Sequence, residues 1–96
     1  MTNAQISAAL RELADALIQK KESWFKVRAY RKVADEIDAL GETLADMAAQ
    51  NRLRDIPGVG DAIEKKIKEM LSTGRLQALE RVKAELAEAG IGQTGK

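Results

Sequence analysis

The stretch "DIPGVGDAIEKKI", Asp55 to Ile67, holds the residues best suited to chemistry. Pro57 fixes its own φ and gives up its amide hydrogen, while Gly58 and Gly60 reach backbone angles closed to other residues and let another chain come close. A helix opening at Asp61 leaves amide hydrogens without intrahelical partners at the positive end of its dipole. Such an arrangement holds anions. Lys65 and Lys66 follow it directly. On these five loop residues alone, a plain tight turn between packed helices explains the glycines equally well. A Walker A loop is ruled out, because Gly60 is followed by Asp61 and Ala62 rather than by Lys and Ser or Thr. A dinucleotide fingerprint would need a third glycine and a preceding strand.

The elements that position this loop are helices. The chain has 96 residues, 45% of them apolar, with one proline and seven glycines. No segment alternates like a strand, so the fold class is all-α: a compact bundle of four to five short helices. The first helix spans about Asn3 to Lys20, with Ile6, Leu10, Leu13 and Leu17 inside and Thr2 or Asn3 as its cap. The second follows Ser23 and runs from Trp24 to Leu40 on a stripe of Tyr30, Val33, Ala34, Ile37 and Leu40. Trp24 and Phe25 read as packing residues, although aromatics exposed there could stack on an unpaired base. Gly41 is the expected left-handed stop. Thr43 caps a short helix from Leu44 to about Asn51. A fourth runs from Asp61 to about Thr73, ended by Gly74, and a fifth lies within residues 75–90. Residues 1–90 form one domain, and 91–96 form a frayed tail.

Composition narrows the function classes. There is no Cys and no His, which removes disulfides, thiolate and imidazole catalysis and the usual zinc sites. No apolar run approaches the roughly 18 residues of a membrane span, and no leader is recognisable, so a cytoplasmic protein is expected. The net charge of +1 hides an uneven distribution. Lys20 to Lys32 carries six bases against Glu22 alone, whereas Val33 to Gln50 carries five acids and no base. The basic run suits a local anion-binding face; solvated helix faces explain both runs as well.

Geometry separates the two lysines. At 100° per residue Lys66 lies about 60° from Ile63 and about 40° from Met70, so it borders the apolar stripe, whereas Lys65 and Lys68 point away. Lys26 and Tyr30, four apart, share the apolar side of the second helix.

Apolar-Pro-Gly-apolar-Gly followed by a basic helix resembles the helix-hairpin-helix motif. The resemblance implies DNA backbone binding without sequence readout: amides of Gly58, Val59 and Gly60 on phosphate, and charge from Lys65, Lys26, Arg54 and Arg31. It also implies a monovalent cation, Na+ or K+, on the carbonyls of Arg54, Ile56 and Val59. The match widens through "SWFKVRAYRKVADEIDAL" and "IPGVGDAIEKKIKEMLSTGRLQALE". These are similar to the amino-terminal helix-hairpin-helix lyase domain of family X DNA polymerases over about Ile6 to Leu86. That likeness implies a partner DNA that is single-stranded, gapped or 5′-phosphorylated, a role in DNA repair, and 5′-deoxyribose-phosphate lyase chemistry. Lys66 would be the Schiff-base nucleophile, with Tyr30 and Lys26 beside it.

Ala62 and Ala78 depart from basic positions of the family, and Phe25 from a polar one. No polymerase palm follows, and "AEAGIGQTGK" does not resemble the family's continuation, which favours a stand-alone protein. Three readings stay open: a DNA-binding module, a lyase acting through Lys66, and a module that binds a protein partner through the acidic stretch Asp35–Asp46 or a helix face.

Overall fold

A computed structural model of the chain describes residues 1–89. The expected tail at 91–96 lies outside the described residues. Five α-helices follow one another: α1 (Asn3–Gln19), α2 (Trp24–Asp38), α3 (Leu44–Ala49), α4 (Asp61–Thr73) and α5 (Gln77–Glu88), with one 3-10 turn, Leu53–Asp55, between α3 and α4. No strand occurs among the described residues. The class is all-α, as the periodicity indicates.

Local chemistry sets the boundaries. Thr2 and Gln5 form a reciprocal capping box at the start of α1. Ser23 caps α2 through the Phe25 amide, and Thr43 caps α3 through the Asp46 amide. Helix ends are where expectation and structure part. α2 stops at Asp38, and Gly41 does not adopt positive φ. The last turn of α2 instead tightens, with the Leu40 amide on the Ile37 carbonyl at 3.1 Å, so no left-handed residue is needed. Lys21 and Asn51 take left-handed angles instead, φ 61° and 57°. Each closes its helix in a Schellman pattern: Glu22 donates to Leu17 and Arg52 to Met47. Gly74, at φ 74°, closes α4 with its amide on Met70, as its position suggests.

The four-residue connection after α1 folds α2 back against it. Antiparallel register shows in the polar pairs along the seam: Ser7 with Asp38, Arg11 with Asp35 and Asp38, and Arg31 with Asp15. The core beneath is aliphatic, built on Ile6, Leu10, Leu13, Val33, Ile37, Leu53, Ile67 and Met70. Val27, which the expected α2 stripe leaves out, is buried too, whereas Leu40 is only half-buried. α5 lays Leu79, Val82 and Leu86 against this core and is pinned to α1 by Lys20–Glu85 and Lys83–Glu12.

Ser7 is the one buried polar side chain among the described residues; its hydroxyl donates to Asp38 at 2.6 Å. That bond, and then Arg11, hold the Asp38 carboxyl below the ordinary carboxylate range. Arg52 does the same for Glu42, and Arg75 for Glu80. The native state therefore binds fewer protons than the unfolded chain near pH 4. The stabilisation is full above the ordinary carboxylate pKa and is lost as pH falls through the lowered native values. The urea midpoint is expected to hold from pH 7 to about 5 and to drop below about 4. Asp38→Asn should lower the midpoint at pH 7 and make the acid drop shallower.

Candidate nucleic-acid interface

Ile56 to Val59 form a type II turn: Pro57 supplies the first corner, Gly58 takes φ 91°, and the Val59 amide donates to the Ile56 carbonyl at 3.0 Å. Val59 thus commits its amide internally and buries its side chain, so the hairpin amides without a partner among the described residues are those of Gly58 and Gly60. Gly60 caps α4 without a side-chain hydrogen bond, which leaves the amides of Asp61, Ala62 and Ile63 facing outward as well. The carbonyls of Arg54 and Val59 accept no hydrogen bond among the described residues.

The two glycines differ in kind. A Cβ on Gly58 would meet the buried Val33 Cγ2 at 3.2 Å, on top of the cost of positive φ. Gly58→Ala should therefore cost about 2 kcal/mol in urea unfolding. A Cβ on Gly60 would meet nothing within 4 Å, at an ordinary φ of −106°. Gly60→Ala should cost under about 1 kcal/mol, so any larger loss of binding in that variant reports on an approaching ligand rather than on folding.

Residues of α1, α2, α4 and α5 line a solvent-open cavity of about 260 Å³. Its rim carries Lys20, Lys26, Tyr30, Lys66 and Arg81, with Glu22 as the single acid. Lys66 Nζ stands 5.8 Å from the centre of the Tyr30 ring, within cation–π range. Lys66 is half-buried while Lys65 is exposed, as the helical angles require. A second cavity of about 370 Å³ continues past Lys66 between α4 and α5, reaching Lys65 and Arg81.

Ion pairing sorts the basic residues. Lys21, Lys26, Arg28, Lys66 and Arg81 pair with no carboxylate among the described residues. Three of these, Lys26, Lys66 and Arg81, line the same cavity. By contrast Arg31 pairs with Asp15 at 3.1 Å on the α1 seam, away from the cavity. Arg54 bonds Asp61 and Glu64, both at 2.9 Å, and so neutralises the acidic first turn of α4. Lys65 is only loosely held, 3.3 Å from Asp61 at an exposed i,i+4 spacing of low energy.

Sequence reasoning left two features out. Arg81 sits three residues after Ala78 on one face of α5, and both line the cavity; the face is legible, but α5 meeting α4 at Lys66 is not. Trp24 and Phe25 are not packing residues: they are 63% and 84% exposed. Phe25 lies roughly 140° from the centre of the buried α2 stripe, an angle the sequence already contains. Helix-hairpin-helix domains commonly bind nucleic acid, and a family model described as helix-hairpin-helix domain matches residues 1–76; the chain belongs to that family.

Proposed function

We propose that this chain binds DNA by its phosphate backbone, without reading sequence, at gaps or 5′-phosphorylated ends, in the service of DNA repair. The observation that carries the reading is the convergence on one cavity of Lys26, Lys66 and Arg81, none of them paired with a carboxylate among the described residues, and its continuation past Lys66 into a second cavity that reaches Asp61 and Ala62 in the amide-bearing first turn of α4. Phosphate oxygens supply the missing acceptors. The likeness to the lyase domain of family X polymerases supports a 5′-phosphate as the group that enters. The carbonyls of Arg54 and Val59, which accept no hydrogen bond among the described residues, and that of Ile56, which already accepts from the Val59 amide, would be the ligands of a Na+ or K+ ion bridging the hairpin to the phosphate chain. The acidic-patch reading is weaker, because Asp35, Asp38 and Glu42 are engaged with Arg11 and Arg52.

Fluorescence anisotropy on a labelled duplex with a short gap tests this. With three to five phosphate contacts, log K should fall against log salt with a slope of about −3 to −4. A 5′-phosphate at the gap should bind more tightly than a 5′-hydroxyl. Binding that ignores both salt and the 5′-phosphate would sink the proposal.

A second reading, lyase activity, is favoured by Lys66, a half-buried amine held over the Tyr30 ring with no carboxylate partner. In it, Nζ attacks the C1′ aldehyde of a ring-opened 5′-deoxyribose phosphate, and water leaves as the C=N bond forms. Loss of a C2′ proton then expels the 3′ oxygen, with the C3′–O electron pair leaving on the downstream strand. Borohydride would reduce the imine to a stable adduct. The adduct should be present with the wild-type chain and absent with Lys66→Ala. No adduct from a chain that still binds DNA leaves a binding module only.

A further inference from the structure

The side of α2 turned away from the two cationic cavities has a pattern of its own. At 100° per residue Trp24, Arg28, Asp35 and Ala39 fall within about 60° of arc, roughly 150° from the centre of the buried stripe. All four are exposed, and none of them lines either cavity. Trp24 leaves most of a large ring in water, where its apolar area gains nothing from folding. Arg28 pairs with no carboxylate among the described residues. Asp35 gives one oxygen to Arg11, yet its side chain stays 74% exposed. The face thus runs from aromatic and basic at its start to acidic and small at its end.

We propose that this face docks on the same face of a second copy of the chain, the two α2 helices antiparallel about a two-fold axis between Arg31 and Lys32. The spacing is self-complementary. Turning α2 about that axis sets Arg28 opposite Asp35 of the second copy, and Trp24 opposite its Ala39, each contact occurring twice. Ala39 carries only a methyl group, so the indole ring can lie flat on it and leave water. Arg31 and Lys32 meet at the axis, where Asp15 and Glu36 already offset their charge. A net charge of +1 gives two copies little mutual repulsion. A DNA backbone laid along this face would be attracted at Arg28, repelled at Asp35, and would leave Trp24 uncovered. A second copy satisfies all three. The 15-residue helix is about 22 Å long. Such a contact falls short of the roughly 1,600 Å² of a standard interface, so the dimer is weak and depends on concentration. Lys26 and Tyr30 lie on the opposite side of α2, so both cavities stay open in it.

Sedimentation equilibrium of the full chain, from about 10 µM to about 1 mM, tests this. The mass should climb from one chain toward two. Emission from Trp24, the single tryptophan, should move to shorter wavelength in step with it. Arg28→Asp places like charges across the interface and should weaken association about tenfold or more. Asp35→Arg should do the same, while Arg11 keeps Asp38. The double variant, Arg28→Asp with Asp35→Arg, restores opposite charges and should associate again, as should an equal mixture of the two single variants. All these positions are exposed, so circular dichroism should not change. A chain that stays single at every concentration, or a dimer indifferent to these charge changes, would overturn the proposal. Weaker binding of a gapped duplex by Arg28→Asp, in a chain that stays single, would overturn it too and give the face to DNA.

Discussion

Replacing Lys26, Lys66 and Arg81 together with alanine is expected to weaken binding of a 5′-phosphorylated gapped duplex by roughly 100-fold or more at 0.1 M salt. The salt slope should become shallower by about 2 to 3, one step for each phosphate contact removed. These three residues hold no ion pair among the described residues and the cavity opens on solvent, so the urea midpoint should scarcely move. The control is Arg31→Ala with Arg75→Ala. It removes two charges from residues engaged with Asp15 and Glu80, and should change affinity less than about threefold. If the control weakened binding as much as the triple variant, total charge rather than placement would govern the interaction. Anisotropy titrations at four salt concentrations decide it.

The second large effect concerns stability. Ile67 is fully buried on α4, the residue after Lys66. Ile67→Ala should cost about 3 kcal/mol, from lost transfer energy and a cavity that the helix cannot close. For a domain of this size, with about 5–10 kcal/mol in total, that is roughly a third to three-fifths of its stability. Urea unfolding would show it as a lower midpoint with an unchanged slope. Since α4 carries both Lys66 and the outward amides, binding measured well below the midpoint should survive nearly intact. Ile67 and Lys66 are neighbours in sequence, yet one should fail in stability and the other in binding.

Much of this was legible beforehand, for a physical reason. Aliphatic periodicity and caps are local properties. Asp61 to Thr73 therefore reads as a helix with its observed ends, and Gly74 as its left-handed stop. The same helical angles put Lys66 at the core edge and Lys65 in water. Gly41 misled because a left-handed residue is only one way to end a helix; α2 tightens its last turn instead. The destinations of long cationic side chains were not legible. Arg54, Arg31 and Arg81 have similar surroundings in sequence, but their partners are set by tertiary contacts: Glu64 and Asp61, Asp15, and a shared cavity with Lys66. Phe25 was legible and misjudged, since an aromatic residue beside a buried stripe is not thereby part of it.

The internal neutralisation of most basic side chains also has a kinetic meaning. With a net charge of +1 the molecule casts little long-range field, so it gains little electrostatic steering toward DNA. Encounter should proceed at the ordinary rate for unsteered docking, about 10⁵–10⁶ M⁻¹s⁻¹, and vary little with ionic strength. Salt would act instead on residence time, through the few charges that touch the strand. On the proposed reading, such a protein would gain little from intact duplex, and its dwell time at a strand end would be set by the few phosphate contacts it makes there.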